Sequence, residues 1–364
     1  MGISRYMAES QTAVVLFNLG GPDDLDAVEP FLINLFSDRG IIELPFGAAL
    51  QPAFARVIAK LRGPSVRRNY ASIGGGSPQL AITEHQARAL EASLNASRPG
   101  GSHYRVFIAM RYSRPTSEMA LEAIAEAGIQ RIITLTLFPH YSKATTGSSR
   151  REFDRVLQKP LWRQLKFDVA HIDRYAAYPP YLDAMADTAQ AAYRTIPVDR
   201  RAGAVILFSA HGLPQKFVDE GDPYVEDIET TRRGLLDRLR VPNRQVLAYQ
   251  SRTGPVKWLG PGTEETLRAL GREGVKDVLV IPLSFVSDHI ETLYEVDLLF
   301  AGVARDSGIT GYYRPETLNA SPLFIDALAG LVERHVQTQK PGACGGSCDC
   351  GGTEHEDAPV GAVR

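Results

Sequence analysis

The sequence predicts an α/β protein of two similar Rossmann-like units, each a parallel sheet flanked by helices, with the active-site cleft between them. Three observations carry this. Short apolar, β-branched runs at 13–17 (AVVLF), 104–110 (YRVFIAM), 131–138 (RIITLTLF), 204–208 (AVILF), 245–249 (QVLAY) and 277–283 (DVLVIPL) alternate with amphipathic helical stretches. Strands apolar along their whole length belong to parallel sheets covered on both faces. The halves also echo each other: EAGIQRIITLTLF (126–138) and REGVKDVLVIPLS (272–284) each hold a helix end, a Gly and a strand, and VVLFNLGGP and VILFSAHGLP each run a strand into a Gly-containing turn ending in Pro. Finally, 364 residues with 44% apolar and 23% charged side chains suffice for two cores and exclude disorder or fibrous repeats for the chain as a whole.

In order along the chain, residues 1–11 form an N-terminal extension, 12–175 the first α/β domain, 176–337 the second, with exchange of terminal helices allowed, and 338–364 a flexible Gly- and Cys-rich tail too polar to bury anything. In the first domain Thr83 to Asn95 reads as a helix, opened by a T-x-x-Q capping box from Thr83 to Gln86 and striped by Ala87, Leu90 and Leu94. In the second, Asp222 to Leu239 is a helix striped by Ile228, Thr231, Leu235 and Leu239. Clefts in open parallel sheets lie where strands end, so a duplicated pair places one cleft between its halves.

Forty Lys and Arg against 42 Asp and Glu leave a formal charge of -2, which gives no global basic field for nucleic acid or anionic lipid. No nucleic-acid partner is expected. The start, MGISRYMAES, lacks the apolar stretch of a secretory signal, and no run of about 18 apolar residues follows. The expected location is cytoplasmic. All three cysteines, Cys344, Cys348 and Cys350, fall in the tail; this excludes a disulfide-stapled core and fits a reducing compartment.

Chemistry-bearing residues gather at strand ends. The strand at 204–208 runs into SAHGLP, which puts His211 where a cleft opens, although a lone His at such a turn also serves as a helix cap. The strand at 277–283 runs into FVSDHIETLYE; if Asp288 opens a helix, Asp288, Glu291 and Glu295 share one face, with His289, Phe285 and Tyr294 among them. A solvated acidic helix start is the plain alternative. Oxygen and imidazole ligands without a tight tetrahedral cage suit a divalent metal that is bound loosely and passed on, with His211 available as a base. The turn Asn18-Leu19-Gly20-Gly21-Pro22 lacks a nucleotide fingerprint, and its glycines would let a ligand approach the backbone. The loop Tyr70 to Pro78 either caps an element or wraps a substrate. Arg111-Tyr112 puts a cation at the cleft mouth, suited to a carboxylate. Residues 41–62 combine apolar side chains with Arg56, Lys60 and Arg62, which fits an exposed lip for a flat apolar ligand or a membrane surface, and equally a helix docked on its own core.

With these motifs in view the chain resembles the ferrochelatases, the enzymes that insert ferrous iron into a porphyrin to make haem. NLGGP, IGGGSP, SAHGLP, QSRTGPVKWLGPGTEETL (250–267) and SDHIETLYE occur in family order across residues 12–335. The resemblance implies a chelatase-like fold and a reaction on protoporphyrin IX and Fe²⁺, with two protons released. It also implies that His211 and Glu291 face each other across the porphyrin as the catalytic pair. His211, Glu291, Glu295 and Asp288 would handle the metal, while Leu19, Arg62, Tyr70, Ser77, Arg111, Tyr112, Trp258, Phe285 and His289 would contact the substrate. No cofactor beyond the Fe²⁺ substrate is required. Some relatives carry a 2Fe–2S cluster on tail cysteines plus an internal one. Here Lys143 stands at the internal position and the tail offers only Cys344, Cys348 and Cys350, so four-cysteine ligation is incomplete and His355 would be the candidate fourth ligand. Where some relatives extend the carboxylate ladder, this chain has Leu299. Contact with a membrane surface through 41–62, peripheral at the inner membrane, is part of the expectation; the sequence does not set the oligomeric state. The rivals are another tetrapyrrole chelatase, acting with cobalt or nickel or on coproporphyrin, and a non-catalytic haem-binding protein. A more acidic tetrapyrrole would call for more cations than Arg62 and Arg111.

Overall fold

The computed structural model describes residues 11–41, 47–96, 103–252, 254 and 256–338. Two sheets organise it. The first holds β1 (Thr12–Asn18), β2 (Tyr104–Met110), β3 (Arg131–Thr136) and β4 (Asp168–Ile172); the second holds β5 (Val205–His211), β6 (Gln245–Gln250), β7 (Asp277–Pro282) and β8 (Gly311–Tyr313). Every pairing is parallel, and the strand orders, β2-β1-β3-β4 and β6-β5-β7-β8, are the same plan twice. The central strands explain the apolar runs: all seven residues of β1 and all six of β7 are buried, because helices cover both faces. The six apolar runs became β1, β2, β3, β5, β6 and β7. β4 and β8, short strands at one edge of each sheet, carry no such run and keep partly exposed residues such as Val169 and Tyr312.

One core cluster spans both halves, joining Leu16 and Leu90 to Phe208, Phe324 and Leu328, all fully buried. Each such side chain contributes about 1.5–3 kcal/mol, so the inner faces of the two sheets stabilise one another. Smaller clusters cover the outer faces, around Phe17 and Phe153 in the first half and Leu207, Leu267 and Phe300 in the second. The C-terminal helix Pro322–Thr338 packs both on Pro179–Thr195 and on Gln79–Ala96 of the first half.

The helix expected at Thr83 starts earlier, at Gln79. Ala87, Leu90 and Leu94 are buried along it, but the capping box is not there. Thr83 lies inside the helix, donating to the Gln79 carbonyl at 2.7 Å and accepting from Asn18 Nδ2 at 3.0 Å. Gln86 reaches into the second half instead. The helix Tyr224–Leu239 buries Ile228, Thr231, Leu235 and Leu239, and Asp222 accepts the Tyr224 N–H at 3.1 Å just ahead of it.

The segment read as a lip divides. In the helix Gln51–Ala71, Ala55 and Ala59 face a cluster with Phe31, Leu32, Tyr70 and Tyr112, while Leu50 ahead of it and Val57 and Leu61 within it are exposed. Residues 42–46 lie outside the described residues. Among the described residues no helix is long and apolar enough to cross a membrane.

Candidate active site

His211 closes β5, and its backbone is fixed on both sides: its N–H donates to Ser284 Oγ at 2.9 Å and its carbonyl accepts the Tyr224 hydroxyl at 3.0 Å. The following Gly212 is required, because a Cβ there would lie 2.7 Å from the Gln250 carbonyl and 3.5 Å from the Trp258 ring. With the strand end so anchored, the imidazole Nδ1 meets Glu291 Oε2 at 2.7 Å. The ring keeps 37% of its side-chain surface exposed against 18% for Glu291, so the pair sits in a cleft wall, open on the imidazole side.

Glu291 begins a π-helix, Glu291–Phe300, a winding that clusters at functional sites. Glu295 lies one turn on. Ser251, directly after β6, lies 3.0 Å from Glu291 Oε2 and 2.6 Å from Glu295 Oε2. Gln250 Nε2 donates to Glu295 at 3.0 Å. Burial works against charge on His211, yet the Glu291 carboxylate outweighs it and raises the imidazole pKa. Burial would raise Glu291 too, but His211 holds it well below the usual carboxylate range. Burial first and the Glu291 charge second push Glu295 up to about 7. Within the row, Glu295 is the carboxyl that can exchange its proton near neutral pH.

Around this row stand Phe285, edge-on to His211 at 6.2 Å, and His289, whose ring is 4.5 Å from Phe285 and whose pKa burial lowers. From the first half, Leu19 and Tyr70 meet Ile290 in one apolar cluster, and the Glu291 charge adds to burial in raising the Tyr70 pKa. Ser77 is adjacent: a Cβ on Gly21 would fall 2.5 Å from its Oγ. Gly21 thus makes room for Ser77 and Gly20 for Ser113, so side chains of the chain itself fill the space beside both glycines.

Several expected residues sit elsewhere. Asp288 does not share the Glu291 face. Its Oδ1 accepts from Thr292 and Thr317, its Oδ2 accepts from Asn319 at 2.9 Å, and Arg314 lies 3.5 Å away. With both oxygens committed, it is a poor metal ligand. The expected spacing assumed an α-helix from Asp288; the helix starts at Glu291 and winds wider. Arg111 is not an open clamp, because Asp38 holds its guanidinium at 2.7 Å. Tyr112 is 2% exposed, and its hydroxyl donates to Asp38 at 2.7 Å. Arg62 lies on the exposed side of its helix, 6.0 Å from the Phe36 ring centre. Leu299 packs beside the outer cluster of the second half. Lys143 donates from Nζ to the Glu220 carbonyl at 3.1 Å. Cys344, Cys348, Cys350 and His355 lie outside the described residues. Ser251, Gln250, Ser284, Tyr224 and Asp38 were not anticipated. The strand-end rule that singled out His211 applies equally to Gln250 and Ser251 at the end of β6.

Two matched parallel sheets, with an imidazole–carboxylate row at the strand ends, make up the architecture of a chelatase-type protein. Solved structures agree on the fold: SirB from Bacillus subtilis with Fe³⁺ superposes with a TM-score of 0.54 at 11% identity, covering 91% of this chain and 98% of that one. The ferrochelatase family model matches residues 11–336, and the chain belongs to the ferrochelatase family. The ferrochelatase of Geotalea uraniireducens is 49% identical over 90% of this chain and 99% of its own length. That of Geobacter metallireducens is 51% identical over 89% and 98%, and that of Synechocystis sp. 47% identical over 88% and 82%.

Proposed function

We propose that this chain inserts Fe²⁺ into protoporphyrin IX, with His211 as proton acceptor and Glu291 and Glu295 as the carboxylates that receive and release the metal. The observation that carries this is the 2.7 Å contact between His211 Nδ1 and Glu291 Oε2 at the end of β5. With Nδ1 donating to Glu291, Nε2 holds the lone pair that takes a pyrrole proton, and the neighbouring carboxylate makes that nitrogen more basic. A flat porphyrin keeps its two N–H groups in the ring plane, so the ring must pucker. Strain of about 1–5 kcal/mol drawn from remote contacts is adequate, and Leu19, Ile290 and Phe285 provide an apolar wall against which to bend it. Hard oxygen ligands hold Fe²⁺ loosely, whereas thiolates would retain it and favour softer ions. Two protons leave for each iron inserted, and the row His211–Glu291–Ser251–Glu295 offers a hydrogen-bonded way out.

The exposed Leu50, Val57 and Leu61, beside exposed Arg56 and Lys60, support contact of this face with a lipid surface, the source of an apolar substrate.

The test is anaerobic incubation of His211→Ala and Glu291→Gln with Fe²⁺ and protoporphyrin IX, following the Soret band. Loss of a general base costs about 10²–10⁴-fold, so each variant should fall by at least that factor with unchanged circular dichroism. Turnover near that of the parent in either variant overturns the roles assigned to these residues, and a parent that binds haem but shows no insertion favours a haem carrier that needs no base.

A further inference from the structure

Four donors converge on one carboxylate beside the cleft, and that carboxylate belongs to the protein. Asp38 follows the helix Val28–Ser37. Its Oδ2 accepts from Arg111 Nη2 at 2.7 Å, from the Tyr112 hydroxyl at 2.7 Å and from the Ser148 hydroxyl, while its Oδ1 accepts the Gly40 N–H at 2.7 Å. Arg111 Nε also donates to Ser148 Oγ, at 2.8 Å. A guanidinium, a phenol, a hydroxyl and a backbone N–H are the equipment of a carboxylate receptor. The knot sits directly behind the substrate wall. Arg111 N–H donates to the Asn18 carbonyl at 2.9 Å and Tyr112 N–H to that of Leu19 at 3.0 Å, and Tyr112 shares a cluster with Leu19, Tyr70 and Ile290. Arg111 and Asp38 remain 19% and 10% exposed, so the pair is in reach of the cleft electrostatically but closed to a second carboxylate.

Taking the porphyrin reading as its basis, we infer that Asp38 is a specificity-determining residue: it fills the carboxylate receptor of Arg111 and so sets the charge count of the tetrapyrrole this cleft accepts. A cation already neutralised by an internal anion offers nothing to an extra substrate carboxylate, which would have to displace Asp38 or lie against it. Discrimination of this kind arises from repulsion and unpaired charge as much as from attraction. Protoporphyrin IX carries two carboxylates and coproporphyrin four, so Asp38 favours the first. Asp38 does carry its charge: burial disfavours it, but the hydrogen bonds from Ser148 and Tyr112 and the Arg111 charge outweigh burial and lower the pKa.

The experiment compares kcat/KM for Fe²⁺ insertion into protoporphyrin IX and coproporphyrin, with metal-free porphyrin affinity from quenching of the protein's tryptophan fluorescence. Asp38→Asn frees the Arg111 charge, and the preference for protoporphyrin over coproporphyrin should fall about tenfold, equivalent to about 1.4 kcal/mol. Arg111→Gln leaves the Asp38 charge unopposed, so the same preference should rise. A structural bolt predicts otherwise, since both variants would then lose activity on both substrates alike and the ratio would not move. That constancy, in rates and affinities, overturns the proposal. Should Asp38→Asn fail to fold, the direction of change in Arg111→Gln decides alone. A parent enzyme that inserts iron into neither porphyrin instead removes the substrate reading and this proposal with it.

Discussion

Ser251 illustrates what a single residue does in this site. Its hydroxyl has one proton and two carboxylate neighbours, Glu295 at 2.6 Å and Glu291 at 3.0 Å. When Glu295 is protonated it donates to Ser251, which then donates to Glu291; when Glu295 is charged the hydroxyl turns to it. Ser251 also holds φ at 61°, a left-handed conformation uncommon outside Gly and characteristic of functional sites. Ser251→Ala should therefore raise the KM for Fe²⁺ about tenfold, roughly the 1.5–3 kcal/mol of a hydrogen bond to a charged group less partial compensation by water. Ser251→Gly, relaxed at this φ, should lose as much, because the hydroxyl and not the backbone carries the effect. Full metal affinity in the glycine variant would refute this. At this scale the sequence reveals residue type and strand-end position, which singled out His211, but not the partner: the resemblance set Glu291 across the porphyrin from His211, whereas the two meet directly at 2.7 Å. Arg111 reads as a free cation until Asp38, seventy-three positions earlier, is seen against it, and Asp288 reads as a ligand until Thr292, Thr317 and Asn319 are seen to use up its oxygens.

At the scale of elements, β1, β2, β3, β5, β6 and β7 were legible because each leaves a long apolar run, which is buried throughout where helices cover both faces, as in β1 and β7. β4 and β8 were not, because a short edge strand leaves no such trace. The π-helix could not be read at all, since periodicity at 3.6 residues per turn is the assumption on which a helical face is drawn. The helix Gln79–Ala96 carried a correct apolar stripe and a misleading polar one. Its polar residues are not a cap; they fasten the halves. Gln79 and Thr83 bind Asn18 at the end of β1, and one turn on Gln86 Nε2 donates to Ser287 Oγ at 3.0 Å and to the Asn319 carbonyl at 2.7 Å, both in the second half. A single helix thus sets the first turn against the segment that leads into Glu291. Gln86 is fully buried, so Gln86→Leu leaves the Asn319 carbonyl without its donor and should cost about 1–3 kcal/mol, read as a lower urea midpoint at unchanged slope. Because Ser287 precedes the π-helix, kcat should fall as well. A variant as stable as the parent would show that the helix is held by its apolar stripe alone.

The whole molecule repeats one sheet plan and then joins the copies over a buried polar seam that includes a histidine. After β3 the loop 139–143 crosses to the second half: Tyr141 N–H donates to Asp227 Oδ2 at 2.9 Å, Lys143 N–H donates to Asp222 Oδ2 at 2.8 Å, and His140 Nε2 lies 2.8 Å from Thr231 Oγ1. The Thr231 hydroxyl proton is spent on the Ala176 carbonyl at 2.9 Å, so Thr231 accepts and His140 donates from Nε2. His140 Nδ1 then keeps a lone pair with no partner among the described residues. Protonation would place a charge and an unbonded N–H in a site 2% exposed, and burial accordingly lowers the pKa from 6.5 to about 3. The unfolded chain binds this proton near pH 6.5 and the native state does not, so the contribution of His140 is complete above pH 6.5 and is lost as pH falls toward about 3, at about 1.4 kcal/mol per unit. His140→Gln retains a donor for Thr231 and cannot titrate. Its stability in urea, followed from pH 7 to pH 4, should decline less steeply than the parent's by about 1 kcal/mol per pH unit, even where its stability at pH 7 is lower. Parallel curves for the two proteins would remove His140 from the account.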